Sequence, residues 1–121
     1  MKKILLLLTV LLTLLGSAGA IAEIRINEVM ASTAVFAGGR HDDWIELYNS
    51  GKKVSLDGWY LSNDPYNLKR WAFPKGSSIA KSGYLVIYCV GSDTVESRIS
   101  GALYADFKIS ASGETLYLTD P

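Results

Sequence analysis

The sequence predicts an all-β domain, a sandwich or a barrel, behind a short apolar leader. Three observations carry this. Beyond residue 22 no helical period of useful length is present. Short β-branched and aromatic runs recur instead, with apolar residues at alternate positions. Between them stand clusters of Gly, Asn, Asp, Ser and Pro, the residues that supply turn geometries. Many short strands with turns at this spacing are the mark of sandwiches and barrels.

Residues 1–22 read as an export signal. Lys2 and Lys3 form a positive start, residues 4–15 an apolar core, and Gly16-Ser17-Ala18-Gly19-Ala20 a small-residue stretch. Ala18-x-Ala20 and Ala20-x-Ala22 both fit the signal-peptidase pattern. The alternative is a retained anchor, but a spanning helix needs about 20 apolar residues, more than this core supplies. Cleavage leaves 99 or 101 residues, one domain's worth, assigned to residues 23–121. The 12 basic residues then fall to ten against 12 acidic ones, a net charge of −2. No concentrated basic patch of the kind phosphate binding relies on is evident. A single cysteine, Cys89, excludes an internal disulfide. It sits in an apolar run and reads as a small buried hydrophobe.

The strands follow in order. Residues 23–30 (EIRINEVM) start with Ile24 and Ile26 on one face, and Val29 falls out of phase, which predicts a bulge near Asn27-Glu28. Residues 44–49 (WIELYN) turn Ile45 and Leu47 inward and Trp44, Glu46 and Tyr48 outward, before a turn at residues 49–52. Residues 54–61 hold Val54, Leu56, Trp59 and Leu61, with an interruption at Asp57-Gly58. A turn at residues 63–67 leads to a short strand over 69–73, stopped by Pro74. Residues 83–90 are the most apolar run after the leader and predict a central strand. After a polar loop over 91–101, the last strands are placed at 103–109 and 115–119.

Four blocks within these strands carry a family resemblance: IRINEVM, DWIELYNSGKKVSLDGWYLSND, WAFPKGSSIAKSGYLVIYCVG and DFKISASGETLYLTD. In this order, from residue 24 to the end, they resemble the lamin tail domain in its bacterial secreted form. The resemblance implies an immunoglobulin-like β-sandwich. It also implies a binding or anchoring role. In nuclear lamins such a domain is a surface for protein and nucleic-acid partners, and in bacteria it occurs in secreted and surface proteins, alone or beside hydrolase, nuclease and adhesion domains. One departure stands out. The closing strand expected after Leu118 is absent, and Asp120-Pro121 opens a turn, so the sandwich is predicted to lack its last strand.

No residue set reads as catalytic. His41, beside Asp42 and Asp43, is the lone histidine, with no nucleophile-elbow pattern and no second nitrogen donor for a metal, so it reads as a loop residue. Glu28 and Glu46 are candidates for a paired acid and base, but a structural role, accepting N–H bonds, explains them with less. Asn63, Asp64 and Asn67 lack the spacing of a calcium loop and read as Asx-turn chemistry. Lys52-Lys53 and Lys69-Arg70, with Tyr60, Tyr66 and Trp71 nearby, read as solubilising residues rather than a nucleic-acid platform. No cofactor or metal is expected.

The three Trp, seven Tyr and three Phe all fall after the leader, which is more than one small core needs. Trp59, Phe73 and Phe107 are expected inside. If Leu85, Ile87 and Cys89 point inward, Tyr84, Val86 and Tyr88 point outward, joined by Tyr48 and Tyr117 on other strands. Tyr48, Tyr84 and Tyr88 are therefore the candidate binding residues, with cross-strand packing as the competing account. The sequence supports a non-catalytic interaction or anchoring module that is exported to the cell surface, the periplasm or the medium. Its expected partner is a protein or another cell-envelope component, polysaccharide included. Nucleic acid is not expected, nor is a membrane span once the signal is removed. The alternatives are an accessory fragment of a larger secreted hydrolase or nuclease, or a carbohydrate-binding module.

Overall fold

The computed structural model describes residues 23–31, 42–92 and 100–121, and every structural statement below concerns these residues. The leader over 1–22 and His41 lie outside them. Nine strands and no helix are present among the described residues. No helix there is long and apolar enough to cross a membrane.

A four-stranded sheet has the order β1 (Ile24–Met30), β2 (Asp43–Asn49), β7 (Tyr84–Cys89), β8 (Leu103–Ala105). β1–β2 and β2–β7 are antiparallel, and β7–β8 is parallel. A three-stranded sheet places β4 (Tyr60–Ser62) between β5 (Trp71–Ala72) and β9 (Tyr117–Thr119). A two-residue ladder joins β3 (Val54–Ser55) to β6 (Ser78–Ile79). The two larger sheets make an immunoglobulin-like β-sandwich.

Period-2 alternation explains which side chains fill it. Ile45, Leu47, Ile87 and Cys89 are inward from β2 and β7, Ala105 from β8 and Leu61 from β4, all essentially sealed from solvent. Leu56, Phe73, Ile79, Phe107 and Ile109 complete the same cluster from short strands and connections. The bulge falls where the alternation breaks. Ile26 pairs with Leu47 and Glu28 with Glu46, so Asn27 is the extra residue. The interruption at Asp57-Gly58 is a tight turn, closed by the Trp59 N–H donating to the Leu56 carbonyl at 3.0 Å. Gly58 has a φ of +79°, a conformation that side-chain-bearing residues resist. The Asp57 carboxylate accepts from the Gly76 N–H at 2.8 Å, tying this turn to the Pro74–Gly76 corner.

Three expectations change. Trp59 packs against the core only in part. It lines a cavity of about 440 Å³ with Ile24, Ile26 and Leu118, between the edge strands β1 and β9. The strand expected over 103–109 stops at Ala105, because Phe107 and Ile109 are buried in the core without a ladder partner of their own. Likewise only Trp71–Ala72 of residues 69–73 pair.

Candidate functional site

The outward side of the four-stranded sheet brings the predicted site residues together. Strand register sorts them into three rows. The first is Arg25, Tyr48 and Tyr84, neighbours across β1, β2 and β7. The second is Glu28, Glu46 and Val86. The third is Met30, Trp44, Tyr88 and Tyr104, which reaches β8. Opposite residues in a ladder have Cβ atoms about 5 Å apart, so each row is a line of neighbouring side chains. Two residues of extended chain separate neighbouring rows, roughly 7 Å.

Within the rows the rings stack. The Arg25 guanidinium lies over the Tyr48 ring at 4.9 Å. Tyr48 and Tyr84 have centroids 4.8 Å apart and tilted by 39°. Tyr88 and Tyr104 are stacked at 5.4 Å with 27° between planes. Such pairs add about 0.5–1.5 kcal/mol beyond burial. Cross-strand packing therefore accounts for part of the face, and Tyr48 and Tyr88 are half-buried. Tyr84 is different, at 62 % exposed. Its open side follows from topology, since β8 begins opposite Ile87 and supplies nothing beside Tyr84. Tyr117, expected with these residues, lies instead on the three-stranded sheet, paired with Ser62.

Glu28 and Glu46 are direct cross-strand partners, a juxtaposition the sequence spacing could not show. Asn27, put out of the ladder by the bulge, donates its Nδ2 to Glu46 Oε1 at 2.9 Å, the structural role expected for that carboxylate. Arg25 and Tyr104 were absent from the predicted set. For Tyr104 a signal existed, because Leu103 and Ala105 facing inward send it outward. For Arg25 the signal was the alternation of Ile24 and Ile26.

The remaining polar clusters are tied into the fold. At the 63–67 turn the Asp64 carboxylate accepts from the Tyr66 N–H at 2.9 Å, an Asx-turn bond. Arg70 donates to Asn63 Oδ1 at 2.8 Å, sits 3.7 Å from Asp106 and lies over the Phe107 ring. Lys69 stands over the Tyr60 ring at 5.6 Å. The Ile109 N–H donates to Asp43 Oδ2 at 2.9 Å. Cys89 is buried, and burial, with the Asp43 and Glu114 charges, pushes its thiol up to about 12. Enclosed in the core cluster and with its thiol pushed up rather than down, Cys89 is placed as a core side chain. Among the described residues no three His, Cys, Asp or Glu side chains are grouped as a metal ion requires.

Fold and face together define an immunoglobulin-like sandwich whose most distinctive surface is aromatic. The family model of the Lamin Tail Domain matches residues 17–121, and the chain belongs to that family. No curated protein and no solved structure gives a significant match.

Proposed function

We propose that this protein is a non-catalytic interaction or anchoring module, exported through the signal in residues 1–22, that holds an envelope partner on the outer face of its four-stranded sheet. The observation that carries the reading is the exposed end of the Arg25–Tyr48–Tyr84 row. A large ring left 62 % exposed on a regular sheet face is a ready contact for a partner. Membership of a family of immunoglobulin-like domains supports the non-catalytic part. The export signal rests on the Lys2-Lys3 start, the apolar core and the two Ala-x-Ala sites.

The test is retention of the purified protein on isolated cell-envelope fractions. Replacing Tyr48, Tyr84 and Tyr88 together with Ser should reduce retention at least about tenfold, the equivalent of about 1.4 kcal/mol of binding. The triple variant should still unfold cooperatively, because losses at partly exposed sites are smaller than core truncations. Undiminished retention of a folded triple variant would remove the face from the account.

A further inference from the structure

We infer that the partner is a protein presenting a basic side chain, Lys or Arg, and that this side chain lies across the middle row of the face. The inference rests on the reading that the aromatic face is the binding surface, and it adds the chemistry of what is bound.

The middle row runs acid, acid, apolar: Glu28, Glu46, Val86. Aromatic rows flank it on both sides. Like charges directly opposite in a ladder repel, and among the described residues Glu28 has neither an ion pair nor a hydrogen bond. Glu46 receives only the neutral amide of Asn27. The basic residue on these rows, Arg25, is committed to the first of them, over Tyr48. Among the described residues, two facing carboxylates in the middle row are thus left without a cation. A lysine or arginine is complementary to such a row in both charge and apolar stem. Its methylene stem can lie on Val86, and its charged head then reaches Glu46 and Glu28. Tyr84, largely exposed beside the row, adds apolar surface against which the stem can pack.

The same features disfavour other partners. A phosphate-bearing partner would meet the carboxylates first. A sugar is held best by several open ring faces, yet Tyr48 lies between Arg25 and Tyr84 and Tyr88 is stacked on Tyr104, which leaves Tyr84 alone with an open side.

The experiment measures fluorescence anisotropy of a labelled peptide alternating lysine and threonine, with arginine and glutamate counterparts, titrated with the purified protein. The lysine and arginine peptides should bind, more weakly as salt rises, and the glutamate peptide should not. Glu28→Gln with Glu46→Gln should weaken binding about tenfold. It should leave the melting temperature unchanged or raised, because the like-charge pair is gone and the amide oxygen introduced at position 46 still accepts from Asn27. Charge-independent binding, or a double variant that binds like wild type, would overturn the inference. The failure is distinguishable from failure of the underlying reading. If basic peptides do not bind while the triple Tyr→Ser change still abolishes envelope retention, the face stands and the basic partner falls. If the triple variant is retained like wild type, both fall. A dimer in sedimentation that Tyr84→Ser dissociates would assign the face to a second copy and also overturn the inference.

Discussion

Phe107→Ala should destabilise the domain by about 3–5 kcal/mol, as removal of a fully enclosed aromatic side chain does. Phe107 is only 2 % exposed and is the largest of the fully buried side chains. It follows β8 closely and packs in the same cluster as residues of both larger sheets. Truncation would leave a void that these neighbours cannot all move to fill, since β2 and β7 are held by a six-pair ladder. The Arg70 guanidinium, 5.4 Å from the ring centroid, would lose its apolar support as well. A domain of this size has about 5–15 kcal/mol of total stability, so the variant should unfold at much lower denaturant, or fail to accumulate. Chemical denaturation of Phe107→Ala beside Phe107→Leu gives the comparison, and the leucine variant should keep most of the stability. A loss under about 1 kcal/mol for the alanine variant would mean that Phe107 is not enclosed as described.

Asn49→Ala should cost about 3 kcal/mol, for a polar reason rather than a volume one. Asn49 is fully buried at the end of β2. Its Nδ2 donates to the carbonyls of Lys52 at 2.6 Å, Ala80 at 3.1 Å and Ile79 at 3.3 Å. Its Oδ1 accepts from the Gly51 N–H at 3.0 Å. One side chain therefore holds the 49–52 turn against the segment leaving β6, where Ile79 pairs with Val54. Alanine would leave the buried Gly51 N–H without this acceptor and take a donor from the Lys52 and Ile79 carbonyls, and each buried group left unpaired costs about 1–3 kcal/mol. Asn49→Asp should also be destabilising, because it turns a carboxylate toward three carbonyl oxygens. Thermal melts of both variants beside Asn63→Ala, on the partly exposed 63–67 turn, check the expectation. Equal melting points for Asn49→Ala and Asn63→Ala would contradict it.

Where the chain keeps a clean period of two, the sequence was a sufficient guide. β2 and β7 lie within about a residue of their predicted limits, and the bulge at Asn27 follows from Val29 being out of phase. Two-residue strands are another matter. β6 leaves no periodicity to detect, and it exists because Ser78 and Ile79 are brought beside Ser55 and Val54 by the tertiary fold. The parallel pairing of β7 and β8 was equally out of reach, since it depends on the route between them rather than on either strand's pattern. Trp59 shows the limit of hydrophobicity as a guide. It follows a tight turn at the margin between two edge strands, so a strongly apolar residue ends half-buried.

The candidate face was legible in part, for the same reason. Alternation sends Tyr48, Tyr84 and Tyr88 outward, and all three are on the predicted side. Register, which pattern alone does not fix, then decides which of them meet. It places Tyr48 with Tyr84, moves Tyr88 to a separate row with Trp44 and Tyr104, and sets Glu28 against Glu46 between them.

Site-specific cross-linking tests the central claim, that the outer face of the four-stranded sheet is where a partner is held, most directly. A photoreactive phenylalanine analogue replaces Tyr84 in one preparation and Tyr66 in another. Tyr66 is the more exposed of the two, at 97 %, and lies in the 63–67 turn, off the four-stranded sheet. After incubation with cell-envelope fractions and illumination, a discrete adduct should form from position 84 and not from position 66. Adducts from position 66 alone, or equally from both, would mean that exposure rather than the aromatic face decides the contact, and the account would be wrong.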